Sequence, residues 1–197
     1  PFPLPSDDCL AAWHWLQTSA LSLGIEPTRV AIGGVSSGGG LAAGLVQRIH
    51  DAGGIQPVAQ WLLAPMLDDR TAARRELDDI QHPVWTNRLN RAAWRSYLDQ
   101  EPGGEDVPAY AAPARRENLS GLPPTFISVG DIDLLYEENR QYADRLKQHG
   151  VAVTFETIRG APHGFEEIAR RSKIAKAYLA RARDWLGDAI GASAASK

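Results

Sequence analysis

Ser36 lies within Gly34-Val35-Ser36-Ser37-Gly38, and Asp133 and His163 follow it in that order. A serine hydroxyl is a weak nucleophile at neutral pH. It gains reactivity only beside a base that takes its proton, and that base needs a third group to fix its tautomer and stabilise its charged form. The chemistry open to this set is attack by the Ser36 hydroxyl, with His163 as base and Asp133 as the orienting acid. Each residue also has a plainer reading. Ser36 is a good helix N-cap, Asp133 suits the start of the helix behind it, and His163 is acceptable in a turn beside Gly164 and Phe165. Asp131, two residues from Asp133, competes for the role of orienting acid.

Local sequence context places these residues. Arg29 to Gly33 is short and β-prone, and Ser37 to Ala52 repeats small and apolar residues at helical spacing. Strand, tight turn and helix make up a nucleophile elbow, which holds a serine at the tip of the turn. The flanking Gly34 and Gly38 are expected because a Cβ at either position would strike the neighbouring strand or helix. Asp133, in Gly130-Asp131-Ile132-Asp133, follows a predicted strand at Thr125 to Val129. His163, in Gly160-Ala161-Pro162-His163-Gly164-Phe165, follows another at Val151 to Ile158. All three residues then fall at the carboxyl ends of strands, the edge at which open α/β sheets bind ligands.

The remaining elements fit the same order. Ser6 reads as an N-cap with Asp7 and Asp8 in the first turn, and Leu10, Trp13, Leu16, Ala20 and Leu21 continue a helix that Gly24 stops. Gly53-Gly54 ends the second helix, and Val58 to Leu63 is a buried-strand candidate closed by Pro65. Residues 66–118 are rich in charge, Trp, Asn and Pro, with one helix from about Arg91 to Asp99. They read as a helical, lid-like excursion between two parts of one core, residues 1–65 and 119–187. Leu135 to His149 and Arg170 to Leu186 are helical, and residues 188–197 form a small-residue tail expected to fray. The βαβα alternation predicts an α/β fold with a mostly parallel sheet and flanking helices.

Composition narrows the function class. With 197 residues, 44% hydrophobic and 23% charged, the chain can bury one good core. A net charge of −3 with interspersed signs offers no footprint for nucleic acid or an anionic membrane. No apolar stretch approaches the roughly 20 residues of a membrane span. The single cysteine, Cys9, allows no internal disulfide, and a reducing, cytoplasmic setting is expected. Pro1-Phe2-Pro3-Leu4-Pro5 has no signal-peptide pattern and no initiator Met, which suggests a processed or truncated start. His50, His82 and His149 lack partners at metal-ligand spacing, and His14 reads as a surface residue. Gly38-Gly39-Gly40 is not followed by the Lys-Ser/Thr of a phosphate loop.

The elbow Gly34-Val35-Ser36-Ser37-Gly38-Gly39 and Pro65-Met66-Leu67-Asp68-Asp69-Arg70 resemble the hormone-sensitive-lipase-like esterases of the α/β-hydrolase superfamily. So do the Trp85/Asn87/Trp94/Tyr97 pattern, Gly130 with Asp133, and Gly160 with His163-Gly164-Phe165. The matches run from Pro1 to about Trp185, and the order Ser, Asp, His is the one that architecture uses. The family commonly has Asp and Ala where this chain has Val35 and Ser37. The resemblance favours Asp133 over Asp131. It implies a carboxylesterase for short or medium acyl esters, acting through Ser36, His163 and Asp133 and an acyl-enzyme, with no cofactor and no metal. Gly34, Ser37 and Gly38 would build the elbow and the oxyanion site, and Trp85, Leu134 and Phe165 would line the substrate site. Asp68, Asp69 and Arg70 are expected to form a structural ion-pair network. Peptidases of the superfamily share the elbow, but the Pro65–Arg70 segment favours an esterase.

The family's His-Gly-Gly loop, which supplies oxyanion donors ahead of the elbow, is absent from the residues before Ser36. The resemblance therefore implies the C-terminal part of the fold without its N-terminal strands. Losing one oxyanion donor costs roughly 10²–10³ in rate, so activity is expected to be weak. The strand before Ser36 would become an exposed edge that pairs with another chain. The expected partners are a small-molecule ester and a second copy or complementing chain, with no nucleic acid. The competing expectation is a catalytically impaired remnant that persists as an oligomer.

Overall fold

The computed structural model describes residues 1–195. Its centre is a four-stranded, all-parallel sheet in the order β1-β2-β3-β4: Ile32–Val35, Gln60–Leu63, Thr125–Gly130 and Val153–Ile158. β2 pairs with β3 as Leu62 with Ile127 and Leu63 with Ser128. Successive side chains on a strand point to opposite faces. Leu62 and Ile127 thus join one core cluster, with Trp13 of α1 (Leu4–Ser19), Val46 of α2 (Ser37–Ala52), and Tyr142 and Leu146 of α5 (Tyr136–Gln148). Leu63 and Phe126 join another, with Phe165 of α6 (Phe165–Ile168) and Tyr178 of α7 (Lys173–Ala195). The result is three layers, helix–sheet–helix, with the inner strands β2 and β3 buried on both faces as parallel sheets require and the edge strands β1 and β4 partly exposed.

Between β2 and β3 the chain leaves the sheet. It forms α3 (Asp69–Ala73), a 3₁₀ turn at Arg75–Asp79, α4 (Asn87–Leu98) and a 3₁₀ turn at Pro113–Arg115. A third cluster of Met66, Ala72, Trp94, Leu98, Leu134 and Leu135 packs beneath it. The Asp68–Asp69–Arg70 network is structural in form. Asp68 caps α3 through the Arg70 N–H and pairs with the Arg70 guanidinium at 2.8 Å. The fully buried Asp69 pairs with Arg115 at 2.6 Å and accepts the Gly103 N–H.

Several boundaries differ from expectation for physical reasons. α1 begins at Leu4, with Pro3 at its N-cap and proline in the first turn, where its missing N–H costs nothing. Ser6 is therefore not a cap; it is buried and accepts a hydrogen bond from Arg48 at 3.3 Å. The first strand lies at Ile32–Val35 rather than at 29–33, because its Gly33-Gly34 pair has weak β propensity and hides it. Pairing starts earlier, however, with the Val58 N–H donating to the Val30 carbonyl. α7 starts at Lys173, after the short α6, and runs through Ala195 rather than stopping at Leu186, so most of the expected tail is helix. Residues 196 and 197 lie outside the described residues.

The two glycines that flank Ser36 are not equivalent. A Cβ on Gly34 would lie 2.1 Å from the Gly38 carbonyl oxygen, whereas one on Gly38 would meet nothing within 4 Å. The expectation of a collision thus holds at Gly34 and fails at Gly38, which lies in the open first turn of α2. Gly34→Ala should destabilise the fold by about 2 kcal/mol or more. Gly38→Ala should be neutral or stabilise it by up to about 1 kcal/mol, since glycine disfavours helix. Urea unfolding of the two variants checks this, and equal losses would contradict it.

Candidate active site

The turn between β1 and α2 holds Ser36 at φ 54° and ψ −122°, a left-handed conformation rarely adopted by a residue with a Cβ. Four backbone hydrogen bonds keep it there. The Ser36 N–H donates to the Leu63 carbonyl at 2.9 Å, while its own carbonyl accepts the N–H groups of Gly39, Gly40 and Met66 at 3.0, 3.2 and 3.0 Å. The side chain makes no cap bond to α2. It turns instead to His163, with Oγ 2.9 Å from Nε2.

His163 lies between β4 and α6, and its Nδ1 is 2.7 Å from Asp133 Oδ2. A carboxylate only accepts, so Nδ1 carries the proton and donates to Asp133. Nε2 is then free to accept the Ser36 hydroxyl proton. Asp133 sits just past β3, 3% exposed, and its other oxygen accepts the Leu135 N–H at 2.9 Å. One carboxylate therefore both orients the imidazole and satisfies a backbone donor at the start of α5. Asp131, the competing residue, points elsewhere and accepts the Gly160 N–H at 2.6 Å, pinning the loop that carries His163. The two loops meet closely, because a Cβ on Gly130 would come within 1.8 Å of the Ala161 carbonyl oxygen.

Ser37 is the first residue of α2, directly after Ser36, so its N–H has no intrahelical acceptor. An apolar pocket of about 130 Å³ opens beside it, lined among others by Gly40, Leu41, Met66, Trp94 and Tyr97. Burial pushes the Tyr97 phenol up to about 12, so it stays neutral. Of the three expected substrate-site residues, half-buried Trp85 lies against His163, with ring centroids 5.7 Å apart and planes at 31°. Leu134 is buried in the cluster beneath the excursion and also lines a polar cavity behind Asp133. Phe165 packs on Tyr178 at 5.2 Å in the core of the α7 layer. Sequence reading did not single out Met66 or Leu41 as pocket walls. Their only signal is position: Leu41 lies in the first turns of α2, and Met66 follows the proline that ends β2.

Comparison with known proteins identifies the frame. The family profile described as alpha/beta hydrolase fold matches residues 1–167. The chain belongs to the α/β-hydrolase fold family. Its relatives place it in the hormone-sensitive-lipase-like branch. Esterase LipI of Mycobacterium tuberculosis is 32% identical over 167 residues, which is 84% of this chain and 51% of LipI. Carboxylesterase NlhH of the same organism is 32% identical over 175 residues, 86% of this chain and 53% of NlhH. Among solved structures, a bacterial heroin esterase superimposes with a TM-score of 0.88 at 36% identity, covering 96% of this chain and 61% of its own. The chain thus spans about half the length of the curated α/β-hydrolases it matches. No helix among the described residues is long and apolar enough to cross a membrane.

The strain at Ser36 is testable without any substrate. Ser36→Gly and Ser36→Ala both lose the hydroxyl, but only glycine relaxes the left-handed backbone. Ser36→Gly should be the more stable by about 1 kcal/mol in denaturant unfolding. Equal stability would remove the strain from the account of the turn.

Proposed function

We propose that this chain is a serine carboxylesterase for short and medium acyl esters. The observation that carries the reading is the unbroken relay from Ser36 Oγ through His163 to Asp133, at 2.9 and 2.7 Å. In the first half-reaction Ser36 Oγ bonds to the ester carbonyl carbon while His163 Nε2 takes its proton. Asp133 holds the imidazolium, and the Ser37 N–H donates to the oxyanion. Collapse breaks the carbon–oxygen bond, and His163 protonates the departing alcohol. Water then attacks the acyl group on Ser36, with His163 again as base, and releases the acid. The pocket beside Ser37 suits a short apolar acyl chain, and the esterase names of the relatives support the reaction class.

Hydrolysis of p-nitrophenyl acetate and butyrate tests this reading. Ser36→Ala should abolish the activity. Asp133→Asn should lower it by roughly 10³–10⁴ by favouring the wrong imidazole tautomer, whereas Asp131→Asn should cost far less. Identical rates for wild type and Ser36→Ala would overturn the reading and leave a protein with the relay but no turnover.

A second reading concerns assembly and rests on β1, which among the described residues pairs with β2 alone and ends in the half-exposed Val35. An open strand edge is a template for pairing, and we propose that the chain self-associates through it. Sedimentation velocity across the micromolar range should show a concentration-dependent dimer. A monomer throughout would contradict it.

A further inference from the structure

Two neighbouring residues on α5, Glu138 and Asn139, are almost completely buried yet take no part in the relay. Both reach the loop that follows β2. Asn139 Nδ2 donates to the Pro65 carbonyl at 2.8 Å and to the Leu135 carbonyl at 2.9 Å. Glu138 Oε1 accepts the Leu67 N–H at 2.8 Å and the Asp68 N–H at 3.3 Å. This clamped loop is the one that presses on the elbow. The Met66 N–H donates to the Ser36 carbonyl, and a Cβ on Gly40 would lie 2.2 Å from the Met66 carbonyl oxygen. Five residues before Glu138 the same segment carries Asp133, whose Oδ1 accepts the Leu135 N–H.

We infer that Glu138, with Asn139, is a positioning residue for Ser36. It locks loop 65–68 against the elbow, and so ties the strained serine to the segment that bears Asp133. The inference rests on the esterase reading of Ser36 and adds a residue that acts on the nucleophile only through the backbone. No step of the reaction passes through Glu138.

The lock has a protonation state. Burial drives the Glu138 carboxyl up to about 8. The Thr71 hydroxyl and the two N–H donors oppose that rise, and the nearby Asp68 carboxylate adds to it. Glu138 borders a cavity faced by Asp68, Arg70 and Arg74 from one side, His82 from the loop before α4, and Asp131, Asp133 and Glu137 from its own segment. Arg70 is paired with Asp68, and Arg74 with Glu76; Glu138 is only the least of the charges that act on Arg70. Burial favours the neutral acid. Rising pH therefore favours an opened loop that returns the carboxylate to water, an effect that grows from the ordinary carboxyl range up to about 8.

The test follows phosphonylation of Ser36 by a p-nitrophenyl alkylphosphonate. Oγ bonds to phosphorus as p-nitrophenolate leaves, and His163 takes the serine proton. Measured where each variant is fully folded by circular dichroism, its pseudo-first-order rate constant reports the reactivity of the folded protein, so a loss of stability too small to populate the unfolded chain leaves it unchanged. Glu138→Gln keeps the acceptor oxygen and should react within a few-fold of wild type at neutral pH. Glu138→Leu removes the acceptor and should react roughly 10- to 100-fold more slowly, the scale of a small misplacement of a reacting group. The ratio of wild type to Glu138→Gln removes the pH dependence the two share, and it should fall as the pH is raised towards about 8 and level off above it. Equal constants for Glu138→Leu and wild type would overturn the inference. So would a ratio that stays constant with pH, which remains readable where Glu138→Leu does not fold. Wild type that is not phosphonylated at all would instead overturn the esterase reading on which the inference rests.

Discussion

The structure depends on one backbone conformation, that of Ser36. A residue with a Cβ is held left-handed at the end of β1, at a cost of order 1–3 kcal/mol. The surroundings over-determine it. Its N–H is taken by β2, and its carbonyl is shared by the first turn of α2 and by Met66. The pleat of the sheet, the close approach of α2 at Gly34, and the loop after β2 are all conditions for that turn. In return the hydroxyl stands clear of the helix it would otherwise cap and reaches His163.

Parallel topology explains why the other two residues arrive at the same place. In a parallel sheet every strand ends on the same edge, so the loops after β1, β3 and β4 emerge together. Ser36, Asp133 and His163 each lie within a few residues of such an end. The last ångströms are set by contacts between loops: Gly130 admits the Ala161 carbonyl, and Asp131 holds the Gly160 N–H. The excursion between β2 and β3 supplies the walls, with Trp85 against His163 and Trp94 and Tyr97 around the pocket beside Ser37.

Several buried polar side chains gather at one seam, where α5 meets the loop after β2. Asp69 lies there with a guanidinium partner, while Glu138 lies there as an acid whose burial favours the neutral form. An apolar seam would hold helix and loop together without fixing their register. Directional bonds to Pro65, Leu67 and Asp68 fix it, and the elbow inherits that register through Met66.

Much of this was legible in the chain. Short β-prone runs, helical spacing and glycine stops gave the βαβα order, because those signals are local and come from propensity and periodicity. The strand at Ile32–Val35 was displaced in that reading because its glycines serve close packing rather than strand formation. The residue types and their order, Ser36, Asp133 and His163, were also set by sequence alone, as were the motifs that give the family. What only the tertiary structure decided is direction and distance. Local spacing does not choose between two aspartates on one short loop; the family resemblance favours Asp133, and the fold sends Asp133 to His163 and Asp131 to Gly160. Nor can local spacing tell that Gly38 faces open space while Gly34 does not, or that a glutamate on α5 holds the loop behind the serine. Those outcomes depend on atoms remote in sequence approaching to within about 3 Å, which packing of the whole sheet determines and no local pattern records.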